Sequence, residues 1–352
     1  MSKTKTFLRA AALVAGLGLA AWGVCYATAP AYDGHAGISY GKAYAPERDS
    51  QVKFHMWYPT EGGGRDVTVG GNGVFYGTRA GKGAPVREGK HPLILISHGS
   101  GGNAGQFGWI ASKLAEAGYV VLLPNHPGTT TGDASAEAAM RLWERPKDLS
   151  AMIDAIMAAP ETYPHIDTNR IGALGFSAGG YTAMALAGVR LEPAKLNSFC
   201  DDGKTGMSDC AYFKLRGIDL RAVDFGPTAQ PLLDARVKTA VVIDPGTVSA
   251  MTEESLRTIT TPMLVINLGD EGSVPRGVNA KGIAGLVPSA DFQRVNGAWH
   301  FSFLAECKAK GAAILENEGE LDALCDEVSE RNRADIHSEV FQRIEGYLKA
   351  QL

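Results

Sequence analysis

The stretch Arg170–Met184, reading RIGALGFSAGGYTAM, decides the fold. Its first half, Arg170 to Phe176, is apolar and small-sided without alternation, as a strand buried on both faces of a parallel sheet must be. Its second half, from Ala178, is a run of small residues suited to a closely packed helix. Ser177 stands at the join, within Gly175-Phe176-Ser177-Ala178-Gly179. A serine on so tight a strand-to-helix turn is pushed into strained backbone geometry with its hydroxyl exposed. The flanking positions must be glycine, because any side chain there would clash across the turn. The helix start also aims the Ala178 amide at a developing negative charge. A bare Gly-x-Ser-x-Gly match means little in a chain with 43 glycines. The strand–turn–helix setting is what makes Ser177 a nucleophile and Ala178 an oxyanion donor.

The pattern repeats on both sides. Pro92–Ser97 (PLILIS) is another buried strand, followed by His98-Gly99-Ser100-Gly101-Gly102. These glycines let backbone approach the nucleophile, so the Ser100 amide is the second oxyanion donor, while His98 reads as structural. Gly105–Ala117 has helical spacing, and Tyr119–Leu123 (YVVLL) is the next strand. His126, just beyond it, is a candidate substrate contact on the same rim. A helix over Lys147–Ala159 precedes the nucleophile strand. Val237–Ile243, Met263–Asn267 and Phe292–Val295 are later strands, and an amphipathic helix over Arg333–Lys349 closes the chain. Ile38–Ala45 and Val52–Tyr58 are two early strands, and the glycine-rich, charged Glu61–Gly89 reads as loop. Strands alternating with helices predict an α/β architecture, a mainly parallel sheet covered on both faces. Glu192–Arg236 breaks the rhythm and is read as a lid-like insertion over the carboxyl ends of the strands. Residues 32–352 would then form one domain.

A base and an acid complete the chemistry. His300, in Asn296-Gly297-Ala298-Trp299-His300-Phe301, follows the last strand, where the base of such a fold belongs in the order Ser, acid, His. His35, His55, His91, His165 and His337 read as solvated or packing residues. For the acid, Asp244 ends the VVI strand, and Asp270 and Glu271 follow the LVIN strand. Each can hold the imidazole tautomer.

Composition narrows the class. The chain is 45% hydrophobic and 20% charged, ordinary for a globular enzyme, and its net charge of −4 gives no case for nucleic acid. Lys3, Lys5 and Arg9, the apolar Ala10–Trp22 and the small residues Ala27, Ala29 and Ala31 form the basic, apolar and small-residue order of a secretory signal over 1–31. The apolar run is short for a membrane span, which needs about 20 residues. An uncleaved signal would leave the chain membrane-anchored; cleaved, it is periplasmic or secreted. Loss of Cys25 with the signal leaves Cys200, Cys210, Cys307 and Cys325. In an oxidising compartment the economical pairing is Cys200–Cys210 and Cys307–Cys325. None has the histidine spacing of a zinc site, and no cofactor is implied.

Taken together, VKFHMWYPTEG, LILISHGSGGN, YVVLLPNHPG, WERPKDLSAMIDAI, RIGALGFSAGGYTAM, TPMLVIN and GAWHFSFLAEC resemble the secreted dienelactone-hydrolase-like α/β hydrolases that merge into the platelet-activating-factor acetylhydrolase family. The resemblance covers nearly everything after the signal. It implies an α/β-hydrolase fold, a Ser-His-Asp triad and hydrolysis of carboxylic esters without a metal. True dienelactone hydrolases carry a cysteine nucleophile, so their substrate is not carried over to Ser177. The acetylhydrolase-like pattern puts the acid at Asp244. The bacterial dienelactone-like pattern puts it at Glu271, four residues before Pro275, with Asp270 one residue out of register. Asp244 is the preferred assignment. The insertion mixes Phe199, Tyr212 and Phe213 with charges, which favours short-acyl or small aromatic esters. An amidase or peptidase with the same triad, or a catalytically silent exported binding protein, are the alternatives.

Overall fold

The computed structural model describes residues 31–203 and 205–352, so the signal expectation for residues 1–30 lies outside the described residues. Ten strands form one sheet: β1 (Ala36–Ala45), β2 (Ser50–Pro59), β3 (Arg65–Val69), β4 (Thr78–Lys82), β5 (His91–Ser97), β6 (Val120–Asn125), β7 (Ile166–Phe176), β8 (Val237–Ile243), β9 (Met263–Leu268) and β10 (Ala290–Val295). Their order is β10-β9-β8-β7-β5-β6-β2-β1-β4-β3. From β6 to β10 all neighbours run parallel. β2 joins antiparallel to β6 and β1 antiparallel to β2.

The parallel strands are buried on both faces because each side chain has a core to enter. Leu93, Leu95 and Val242 point into one apolar cluster, while Ile94, Ile96 and Val241 point into the other. Helix α1 (Gly108–Glu116) and the long C-terminal helix α5 (Arg333–Gln351) cover the second cluster. Helices α2 (Glu144–Met157) and α3 (Ala178–Leu186) cover the first. This two-sided burial is why the strands read as unbroken apolar runs rather than as alternating ones.

The Glu61–Gly89 segment is not all loop. It holds the β3–β4 hairpin, which forms the sheet edge beside β1. An edge pair with few packed faces carries charge instead of an apolar pattern. Here Arg79 of β4 pairs with Asp66 of β3, Nη2 to Oδ2 at 2.5 Å.

Among the described residues, 192–236 contain no strand. They run through short helices at Pro193–Asn197 and α4 (Asp209–Leu215), then through two 3-10 turns. Disulfides join Cys200 to Cys210 and Cys307 to Cys325, with Cα atoms 5.5 and 5.7 Å apart. Among the described residues, no helix is long and apolar enough to cross a membrane.

Candidate active site

Ser177 sits between the end of β7 and the start of α3 with φ 57° and ψ −122°, a region that non-glycine residues rarely occupy. The turn is held from both sides. The Ser177 amide donates to the Ile243 carbonyl at 3.0 Å, and the Gly246 amide donates to the Ser177 carbonyl at 2.8 Å. A Cβ on Gly175 would land on the Gly179 carbonyl, and one on Gly179 would land on the Ser97 carbonyl. Neither backbone atom can yield, so these two glycines permit the strained serine.

His300 begins a 3-10 turn, His300–Phe303, after β10, and its ring lies 4.6 Å from that of Phe176. The ring is almost fully buried. Its Nδ1–H donates to Asp244 Oδ2 at 3.0 Å. Asp244 is wholly buried at the end of β8, with φ 42°. Its other oxygen accepts from Asn267 Nδ2 at 2.7 Å and from the Leu268 amide at 2.9 Å. Asn267 is itself held: its Oδ1 accepts from the Ala280 amide at 2.9 Å, and its Nδ2 also donates to the Val278 carbonyl at 2.9 Å. With Nδ1–H committed to a carboxylate, the Nε2 lone pair of His300 is the free one. Ser177 and His300 line the same cleft, together with Gly99, Ser100 and Asp209.

The other acid candidates lie elsewhere. Glu271 is exposed and pairs with Lys281 at 2.7 Å; this neighbour holds its carboxyl below the usual range. Asp270 is exposed and accepts from the Gly297 amide at 3.1 Å, which fixes the turn leading to His300. The two strand ends therefore divide the work. β8 presents a buried carboxylate to the imidazole, and β9 presents loop carboxylates to solvent.

Ala178 is the first residue of α3, where the amide has no acceptor within its own helix. Ser100 lies on the loop after β5. Both line a cavity beside Ser177 whose other walls include Tyr181, Leu196, Phe199, Phe213 and Phe225. The 192–236 segment supplies the last four of these side chains.

His126 requires a correction. Its side chain is wholly buried and is not among the residues lining the cavities at Ser177. It accepts from Ser97 Oγ through Nε2 at 2.9 Å and donates through Nδ1 to Asp148 Oδ2 at 2.7 Å. Burial first, then the nearby Arg145 and Arg48, drive its pKa well below the usual histidine range. The end of a strand marks the rim only if the side chain points outward, and here it turns back under the loop. His98 donates within its own loop, from Nδ1 to the Gly99 carbonyl at 2.7 Å.

Sequence reasoning missed three residues. Asn267 is an ordinary strand residue in the chain and carries no motif. Arg145, in WERPK, is a buried cation whose guanidinium reaches Thr129 at 2.7 Å, Thr182, Ser97 and the His98 carbonyl; burial lowers its pKa to about 9. Asp209 lies in the 192–236 segment beside Cys210 and lines the cavities on both sides of Ser177. A polar residue inside the apolar run Met263–Leu268 was the available signal for Asn267, whereas Arg145, among the charges of WERPKD, and Asp209 carried no comparable one.

Comparisons with known proteins bear on the architecture. The sequence model of the prolyl oligopeptidase family matches residues 105–193, which include Ser177 but neither Asp244 nor His300. The uncharacterized protein YcjY of Escherichia coli (strain K12) is 36% identical over 100 residues, spanning 27% of this chain and 31% of that protein. Among solved structures, a ferulic acid esterase from Streptomyces cinnamoneus superposes with a TM-score of 0.60 at 16% identity, over 92% of this chain and 91% of its own. A dienelactone hydrolase from Anabaena variabilis superposes with a TM-score of 0.50 at 14% identity, over 91% of this chain and 100% of its own. The protein has the α/β-hydrolase fold.

Proposed function

We propose that this protein is a serine hydrolase that cleaves carboxylic esters through an acyl-enzyme, with Ser177 as nucleophile, His300 as base and Asp244 as the acid behind it. The observation that carries the reading is the convergence at one cleft. A strained, glycine-flanked serine and an imidazole held in one tautomer by a buried carboxylate face the same space.

The steps follow from that geometry. His300 Nε2 takes the Ser177 proton as Oγ bonds to the ester carbonyl carbon. The resulting oxyanion accepts from the amides of Ala178 and Ser100. His300 then returns the proton to the leaving oxygen as the carbon–oxygen bond breaks. Water repeats the sequence in reverse order and frees the acid. Asp244 stabilises the imidazolium that exists between these transfers.

The 192–236 segment acts as a lid whose apolar side chains receive the acyl group, which favours short-acyl or small aromatic esters. Two disulfides suit an exported protein in an oxidising compartment. An amidase or peptidase is the second reading, favoured by the match to the prolyl oligopeptidase family over residues 105–193.

A fluorophosphonate probe tests the core of the proposal. It labels Ser177 in the folded protein, and Ser177→Ala abolishes the label. Folded wild-type protein that stays unlabelled defeats the reading. p-Nitrophenyl esters against matched p-nitroanilides then separate esterase from amidase.

A further inference from the structure

Ser177 stands between two unlike spaces. On one side is the cavity walled by Tyr181, Leu196, Phe199 and Phe213. On the other is a cleft lined by His300, Phe301, Asp322 and Glu320, and Asp209 borders both spaces. His300 lines the second space and is not among the residues lining the first. A base that must deliver a proton to the departing group has to be on that group's side. The acid-lined cleft is therefore where the leaving portion of a substrate lies.

The carboxylates there are poorly satisfied. Asp209 keeps part of its surface open to the cleft, yet protein atoms crowd around its carboxylate. Among the described residues no hydrogen bond to that carboxylate is found. Burial, and then the facing charge of Asp322, push its pKa up. Asp322 accepts one bond, from Ser208 Oγ at 2.6 Å, and it too is raised by burial and by Glu320. His300 opposes both shifts only weakly. Arg216, at the outer end, is engaged over the Tyr212 ring at 5.4 Å.

Two like charges in a desolvated site repel unless something holds them. Asp209 is adjacent to Cys210 and Asp322 is three residues from Cys325, so each disulfide anchors one of the carboxylates. A cation placed between them would remove both the repulsion and the missing hydrogen bonds. Phe301 adds an aromatic face of the kind that attracts quaternary ammonium groups.

We propose that Asp209 and Asp322 form a subsite for a cationic leaving portion, a protonated amine or a quaternary ammonium group carried on the alcohol side of the scissile ester. This rests on the serine-hydrolase reading above and names the class of substrate for it.

The test pairs acetylthiocholine with 3,3-dimethylbutyl thioacetate, its neutral isostere. The same pair is built as phosphonates that inactivate Ser177, so a chain that turns over neither ester still reports a preference. The cation is favoured in kcat/KM, or in inactivation rate, by about tenfold or more at low salt, and the ratio shrinks as ionic strength rises. Asp209→Asn and Asp322→Asn each lower the ratio, and the double variant brings it near one. Fluorophosphonate labelling of Ser177 shows that each variant is folded. A wild-type ratio near one, or a ratio that survives the double variant, overturns the subsite alone. Absence of labelling by every probe overturns the serine-hydrolase reading instead.

Discussion

Asn267 Nδ2 donates to Asp244 Oδ1 at 2.7 Å, so the carboxylate facing His300 is aimed from the neighbouring strand. Val242 and Ile243 of β8 pair with Val265 and Ile266 of β9, and that register continues to place Asn267 beside Asp244. The same side chain closes the loop through Val278 and Ala280. It is a positioning residue, tying the imidazole's partner to the sheet.

Asn267→Leu removes a hydrogen bond to a charged group, worth about 1.5–3 kcal/mol. We expect kcat to fall roughly tenfold to a hundredfold while KM changes little. Denaturation should show a parallel loss of about 1–3 kcal/mol from the unpaired buried groups. Steady-state kinetics on p-nitrophenyl acetate read the first effect and urea titration the second; unchanged kcat would leave Asn267 purely structural.

Asp244→Asn keeps the shape and removes the charge. It should lower kcat by about 10⁴ without unfolding the protein. Asp270→Asn and Glu271→Gln, whose carboxylates face solvent, should stay within a few-fold of wild type. The reverse ranking of these three variants would move the acid to the β9 loop.

Gly179→Ala places a methyl group on the Ser97 carbonyl. Overpacking typically costs about 1–3 kcal/mol and occasionally more, and here the clash is with unyielding backbone, so the variant should unfold at clearly lower urea or fail to accumulate as soluble protein. Gly89→Ala, where a Cβ meets open space but φ is +113°, should lose less. That contrast separates steric collision from backbone strain.

Stability should fall in mild acid. Burial lowers the pKa of His337 to about 3 and of His55 to about 4, from a usual value of 6.5. Both are depressed in the folded chain, so their contribution is complete above pH 6.5. As pH drops below it the unfolded chain takes up protons first, and stability is lost progressively toward pH 3–4. Each histidine contributes a slope of up to about 1.4 kcal/mol per pH unit in that window. His337→Gln should flatten the profile between pH 6.5 and 4.5 in guanidinium titrations, and an unaltered slope would contradict the assignment. His337 stacks on Trp109 at 3.7 Å and donates to Leu304, so the variant should also be less stable at neutral pH.

The parallel strands were legible because two-sided burial writes itself as continuous apolar runs, and Ser177 because its glycines answer a steric demand visible in the chain. The β3–β4 hairpin was not, since an edge pair with one thin contact face has no periodicity to display. Within the site, the hydrogen bond between His300 and Asp244 spans 56 residues of sequence, and only register and loop closure bring the two together. Three carboxylates at adjacent strand ends met the same local pattern, and only the family resemblance favoured Asp244. The one that turned inward is held by Asn267 and the Leu268 amide, contacts that depend on neighbours in space.

The Ser97–His126–Asp148 chain of hydrogen bonds has a consequence for how such sites are recognised. It reproduces hydroxyl, imidazole and carboxylate in order, at 2.9 and 2.7 Å, within the same molecule as Ser177. A search for that three-residue pattern by distance alone would report it as readily as any active centre. Yet Ser97 has ordinary strand geometry and no side chain of the three meets solvent. In this protein the hydrogen-bonded constellation is common architecture, and what marks a reactive hydroxyl is a backbone bent to expel it from the fold.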